Sequence, residues 1–166
     1  MDTVIQKIPS GYKQTEIGVI PNDWDIVTYG QAFYFLRTAQ YSREQLNNNG
    51  QTSYIHYGDI HTKWNHFVNL SEDLPTIDDD QVKNYDLIED GDLIVADASE
   101  DYEGVCKSVE VKNKDTKKVI SGLHTFLLRE KGDTFAKGFR GYIRYNPLVK
   151  ASMDKLATGL KVYGVS

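Results

Sequence analysis

Leu87-Ile-Glu-Asp-Gly-Asp-Leu-Ile-Val-Ala-Asp-Ala-Ser-Glu-Asp-Tyr-Glu-Gly-Val-Cys-Lys-Ser-Val-Glu-Val111, then a charged turn and Val119-Ile-Ser-Gly-Leu-His-Thr-Phe-Leu-Leu128, is the stretch from which the fold can be read. Asp90-Gly91-Asp92 marks a tight turn, because glycine takes positive φ without steric cost and the flanking carboxylates can accept from nearby backbone N–H groups. Leu93-Ile-Val-Ala96 is short, apolar and partly β-branched, the composition of a buried strand. Ser108-Val-Glu-Val-Lys112 alternates polar and apolar side chains, which predicts a half-buried strand, and the polar run Asn113 to Lys118 turns the chain back. The product is a small β core with one long polar loop, Asp97 to Gly104, hanging from it.

On the N-terminal side of this core, residues 1–10 carry few apolar side chains and read as a mobile lead. Gly18 and Pro21 break any helix between Gly11 and Trp24, so that segment predicts an extended strap anchored by Ile17, Ile20 and Trp24. Gln31 to Leu36 is short and aromatic. Arg37 to Gly50 is a polar surface loop with a helical turn across 42–46. Thr52 to Tyr57 alternates like a strand and stops at Gly58-Asp59. Ile60 to Asn69 offers hydrogen-bond donors and flat rings, and Leu70 to Val82 reads as an acidic, solvent-facing linker. After Arg129 the period changes. Phe135, Phe139, Tyr142 and Ile143 recur at helical spacing, Asn146-Pro147 caps a second helix, and Leu148, Val149, Met153 and Leu156 form its apolar stripe. The fold class expected is α+β: one domain over 1–166, mostly β, with a helical pair near the C-terminus.

With 40% hydrophobic and 26% charged residues in 166, the chain has the composition of a soluble globular domain with a sizeable core. No apolar run approaches the roughly 18 residues of a membrane helix and the start has no signal-peptide core, so a cytoplasmic protein with no membrane partner is expected. The single cysteine, Cys106, excludes an internal disulfide and a Cys-rich zinc site. A formal charge of −5, from 24 acidic and 19 basic residues, argues against a simple DNA-coating surface. The basic residues nevertheless gather in the second half, from Lys107 to Lys150, whereas acidic ones crowd at Glu72-Asp73 and Asp78-Asp79-Asp80.

His56, His61 and His66 invite a metal reading. Their five-residue spacing turns a helix by about 500° and alternates sides on a strand, so regular structure does not gather them, and polar loop or strand roles are the better account. His124 in Gly-Leu-His-Thr reads as a partly buried, hydrogen-bonded structural residue. Asp97 or Asp92 with Glu110-Val-Lys112 mimics the Asp…Glu-x-Lys set of Mg²⁺-dependent nucleases, in which carboxylates hold the metal and the lysine steadies the attacking water. A core strand ending in a solvated lysine explains the same residues more simply. There is no Asn-Pro-Pro-Tyr, since Asn146-Pro147 runs on to Leu148-Val149, and no phosphate-binding glycine loop.

The ordered set Gly11-Tyr-Lys-Gln-Thr-Glu-Ile-Gly-Val-Ile-Pro-Asn-Asp-Trp24, Tyr54-Ile-His-Tyr-Gly-Asp-Ile60, Gly91-Asp-Leu-Ile94, Asp97 to Gly104, Lys107-Ser-Val-Glu-Val111, Ile120-Ser-Gly-Leu-His-Thr125 and Ala157 to Ser166 resembles the target recognition domain of type I restriction-modification specificity subunits. The resemblance covers nearly the whole chain. It implies a curled, β-helix-like sheet followed by a helical hairpin, and a non-catalytic module that recognises one half of a bipartite double-stranded DNA target. It also implies docking to a methyltransferase subunit and, through it, to a restriction and translocase subunit, with AdoMet, Mg²⁺ and ATP on those partners and no cofactor here. Family members carry two such domains separated by long helices; here one is present, ending where the helical spacer would begin. Cys106 stands where many members have glycine.

If DNA is the partner, the residues able to touch it lie in three polar segments. Arg37, Thr38, Gln40, Tyr41 and Ser42 form the first, His61, Lys63 and Asn65 the second, and Ser99, Glu100, Tyr102 and Lys107 the third. Arginine, glutamine and asparagine make the bidentate pairings that discriminate guanine or adenine, carboxylates accept from cytosine N4, and Tyr102 can pack on a sugar or thymine methyl. A stand-alone nuclease using Asp97, Glu110 and Lys112, or a β-rich protein-interaction domain suited to the acidic charge, are the alternative readings.

Overall fold

The computed structural model describes residues 7–114 and 116–166. Its centre is a five-stranded sheet in the order β3 (Phe33–Leu36), β11 (Thr125–Glu130), β7 (Leu93–Ala96), β9 (Ser108–Lys112), β5 (Phe67–Asn69). All neighbours in it are antiparallel except β5 and β9. A second sheet places β4 (Thr52–Ile55) between β10 (Lys118–Ser121), to which it is parallel, and β6 (Thr76–Ile77), to which it is antiparallel. Two small antiparallel pairs complete it: β1 (Tyr12–Thr15) with β2 (Gly18–Pro21), and β8 (Ala98–Ser99) with β12 (Tyr163–Gly164). The helices are short: α1 (Tyr29–Ala32), α2 (Tyr57–Thr62) and α3 (Pro147–Asp154). The fold is therefore mixed α+β and strand-rich, and among the described residues no helix is long and apolar enough to cross a membrane.

β7 is buried along its whole length because it serves two cores at once. Alternate side chains leave opposite faces of a strand. Ile94 and Ala96 pack with Ile55, Ile60, Trp64, Val109, Val111 and Leu127, while Leu93 and Val95 pack with Phe33, Val105, Leu128, Ile143 and Met153. A third, smaller cluster joins Ala39, Tyr54, Ile77 and Ile120.

Tyr54, with no exposed surface, stitches this third cluster to the loops around it. Its hydroxyl donates to the Tyr41 carbonyl at 2.9 Å and accepts from the Leu123 N–H at 2.8 Å. Tyr54→Phe keeps the ring but strands both backbone groups, so it is expected to cost about 1–3 kcal/mol in urea unfolding. An unchanged midpoint would contradict this.

Several sequence expectations are corrected. β9 alternates as read, with Val109 and Val111 in the core, but its polar face is not wet: Ser108 and Glu110 are 1% and 2% exposed. The segment around Arg140 covers that face and pairs with Glu110. The first helix expected near Phe135–Ile143 is instead a 3-10 helix over Arg140–Tyr145, preceded by Gly138 at φ 85°; α3 follows with Asn146 accepting from the Leu148 N–H as its cap. The strand expected to run to Gly58 ends at Ile55, and α2 takes over. The 70–82 linker is not simply solvent-facing, since Leu70 and Ile77 are fully buried and β6 pairs with β4. The strap at 11–24 is a hairpin anchored by Ile20, whereas Trp24 is 61% exposed and anchors nothing. Of the lead expected at 1–10, residues 1–6 lie outside the described residues. Cys106 sits at φ 58°, so the backbone there keeps the left-handed conformation in which glycine is at ease, at a cost of roughly 1–2 kcal/mol. Burial pushes its thiol up to about 11.

Candidate nucleic-acid interface

Helix α2 is the hub of the polar surface. His56 caps it: its Nδ1 accepts from the Gly58 N–H at 3.1 Å, so the ring proton of the neutral form sits on Nε2. Burial, and then the Arg43 charge, hold His56 below the usual histidine value although Asp59 pulls the other way. Ile60, fully buried, pins the helix to the core. Residues four apart share a helix face and residues two apart do not, so Asp59 and Lys63 lie on one flank and His61 on the other.

On the His61 flank a cleft of about 500 Å³ opens between α2 and the 97–107 loop. Tyr57, His61 and Thr62 line one wall, and Ser99, Glu100, Asp101, Glu103, Gly104 and Lys107 the other. His61 Nε2 lies 2.8 Å from the Ala98 carbonyl, and because a carbonyl only accepts, Nε2 carries the proton. Lys107 returns the link by donating to the His61 carbonyl at 3.0 Å, and burial, followed by the Arg144 charge, lowers its pKa. Gly104 is required where the loop closes on itself, since a Cβ there would lie 2.3 Å from Ser99 Oγ.

The loop is held from behind by the C-terminal segment. Arg144 donates to the carbonyls of Val105 and Glu103, and the Tyr102 hydroxyl donates to the Asp154 carbonyl at 2.6 Å. β8 is paired to β12. Glu100, Asp101 and Glu103 are left exposed at the cleft mouth as acceptors.

On the opposite flank Asp59 is buried, its side chain 2% exposed, between Arg43 at 3.0 Å and Lys63 at 3.0 Å. The structure thus brings His61, Ser99, Glu100 and Lys107 to one cleft and Lys63 to the far side of the same helix. Tyr102 stands at the outer edge of the loop, and Ser99 is buried with its Oγ accepting from the Asp101 N–H at 3.3 Å. The Arg37–Ser42 segment is separate. The Arg37 N–H donates to Asp86, the Tyr41 hydroxyl to the Gln81 carbonyl, and Thr38 is half-buried, while the side chains of Arg37 and Gln40 are exposed. Ser42 opens the 3-10 turn Arg43–Gln45, within the expected 42–46, and its N–H donates to Gln45. Asn65 is exposed near the aromatic group of His66, Tyr142 and Tyr145. Arg43 ends the first polar segment, and its pairing with Asp59 is a tertiary contact with no local sequence signal.

The nuclease triplet does not assemble. The Glu110 carboxylate accepts from Gly138 N at 2.8 Å and Gly141 N at 3.2 Å and faces Arg140. Leu93 is the strand partner of Glu110, so Asp97, four residues further along, is displaced by roughly 13 Å at strand spacing. Lys112 Nζ sits 3.2 Å over the Phe67 ring. Asp97 instead bonds His124 at 3.1 Å, and burial raises its pKa despite that partner. His124 is hydrogen-bonded as expected, but it is exposed rather than partly buried and takes φ 56°. The three other histidines are likewise apart: His56 caps α2, His61 bonds Ala98, and His66 stacks on Tyr142 with centroids 4.1 Å apart.

No family model matches the chain, and no curated protein does. Among solved structures the chain is similar to the crystal structure of a type I restriction-modification system S subunit from M. genitalium, at 12% identity and a TM-score of 0.46. The match covers 84% of this chain and 30% of that one.

Proposed function

We propose that this chain is a non-catalytic module that reads duplex DNA by sequence. The observation that carries the proposal is convergence. Polar segments far apart in sequence, at Arg43, Lys63 and 97–107, meet on the two flanks of one short helix, whose inner side is fixed to the core by Ile60. Exposed carboxylates and amide side chains beside such a helix have the chemistry that reads base edges, while cations next to them set register on phosphates.

Within that class, the ordered sequence resemblance supports a target recognition domain of a type I restriction-modification specificity subunit. Such a module recognises one half of a bipartite target and docks the methyltransferase subunit and, through it, the restriction and translocase subunit. AdoMet, Mg²⁺ and ATP then act on those partners, and the assembly is cytoplasmic. A curled, β-helix-like sheet belongs to the same reading, and the parallel pairs β4 with β10 and β5 with β9 support it.

Fluorescence anisotropy with duplex DNA at two salt concentrations is the first test: affinity should be weak and should fall steeply with salt, because phosphate neutralisation releases counterions. The second is methylation of a randomised half-site by the complex reassembled with a cognate methyltransferase subunit and a second recognition domain. Alanine at Arg37, Gln40 or Glu100 should relax the preference at one base pair by roughly 1–3 kcal/mol with little change in melting temperature. Tight, salt-indifferent binding, or an unchanged half-site in all three variants, would contradict the reading. Plasmid cleavage by the chain alone with Mg²⁺, abolished in Glu110→Ala, would replace it with the nuclease.

A further inference from the structure

We infer that Arg43 and Lys63 form a two-pronged clamp for one phosphodiester group of DNA, with Asp59 as the positioning residue that holds both prongs. The inference rests on the DNA-binding reading above and names a site within it. Arg43 comes from the 3-10 turn after the first polar segment and Lys63 follows α2, so two elements distant in sequence deliver their charges to the two oxygens of one carboxylate, each at 3.0 Å. The carboxylate is interior and the cations are not: Asp59 is 2% exposed at the side chain, Arg43 51% and Lys63 46%.

Their donors remain open. Asp59 Oδ2 receives no hydrogen bond although Arg43 Nη2 lies 3.0 Å away, so the guanidinium N–H bonds are not aimed at it. Among the described residues neither Arg43 nor Lys63 donates a side-chain hydrogen bond; each is tied by charge alone. Arginine's planar fork and lysine's three rotatable donors both suit phosphate oxygens.

The charges also balance. Two cations and one carboxylate leave a surplus of one positive charge, the complement of a single phosphodiester, and His56 beside Arg43 is held towards its neutral form. Without Asp59 the two cations would repel and splay. With it they stay side by side before the ligand arrives, so less side-chain freedom is lost on binding. Because α2 separates this flank from the 97–107 cleft, a strand gripped here leaves its neighbouring groove open to the cleft residues.

The test measures the salt dependence of duplex DNA binding by the full chain. Each phosphate contact contributes about 0.9 to the slope of log affinity against log salt, or about 3.5-fold of the affinity lost between 50 and 200 mM salt. Because both prongs grip one phosphate, Arg43→Gln and Lys63→Gln should each lower the slope by up to about that 0.9, and the double variant by no more than about 0.9 in all. Arg43→Lys keeps the charge and should keep the slope. Should Arg43→Gln fail to fold, Lys63→Gln and Arg43→Lys carry the test. Asp59→Asn, which removes a negative charge, should hold the slope but weaken binding at low salt, a sign opposite to that of a simple change in net charge. Wild-type slopes in both glutamine variants would overturn the clamp while leaving DNA binding intact. No binding by the unsubstituted chain would remove the DNA reading itself, and the clamp with it.

Discussion

Replacing Arg140 by alanine is expected to lower the free energy of unfolding by about 3–5 kcal/mol, because it leaves two interior carboxylates without their cation. Arg140, Glu110 and Glu130 have side chains only 9%, 2% and 6% exposed. Arg140 pairs directly with Glu130 and lies 3.4 Å from Glu110, whose remaining capacity is filled by the N–H groups of Gly138 and Gly141. Burial pushes the Glu130 carboxyl up, but Arg140 and the N–H groups of Phe135 and Thr134 outweigh it and hold the pKa below the ordinary value. A depressed carboxylate pKa stabilises the fold above the unfolded value, about 4.3 for glutamate, and that contribution disappears as pH falls through the folded value. The wild-type protein should therefore lose stability below about pH 4, and the deficit of Arg140→Ala should narrow there as the orphaned Glu130 carboxylate protonates. Urea unfolding at neutral and acidic pH measures both. An Arg140→Ala deficit under 1 kcal/mol at neutral pH would mean that water reaches the carboxylates.

Ile94→Ala should destabilise by about 2–5 kcal/mol, the range for removing a large aliphatic side chain from a packed interior. Ile94 has no exposed surface and sits in the larger core with Ile60 of α2 and Val109 and Val111 of β9. The loss should appear in the unfolding midpoint. On the proposed function, the half-site preferred by the reassembled methylation complex should be the same as wild type, since Ile94 supports the polar surface without belonging to it. A variant that folds well but reads a different half-site would refute this division between scaffold and reader.

What the sequence disclosed follows from where the information is local. Leu93 to Ala96 is apolar at every position, so a buried strand was legible, and Asn146-Pro147 announced α3 through cap chemistry that spans three residues. The 3-10 helix at Arg140 was not legible as such. Its aromatic spacing imitates an α-helix, but the backbone at Gly138 and Gly141 is drawn to the carboxylate of Glu110, roughly thirty residues earlier. α2 left weak traces in Asp59 and Lys63 at i, i+4, which the alternation of Thr52 to Tyr57 masked. That the segments around α2 carry polar side chains could be read from the sequence position by position. Which of them share a flank could not: the Arg43 to Asp59 and Lys107 to His61 links depend on the packing of two sheets around Ile60.

The two-residue pairing of β8 with β12 sets a rule for recombination. The 97–107 loop is shaped by partners more than sixty positions downstream in the registers Tyr163 with Ser99 and Gly164 with Ala98, and by the Val165 N–H donating to the Asp97 carbonyl at 2.9 Å. A graft that moved the loop alone into a relative would separate it from the strand against which it is moulded. Exchange of segments between genes should transmit loop geometry intact only when the crossover carries both stretches.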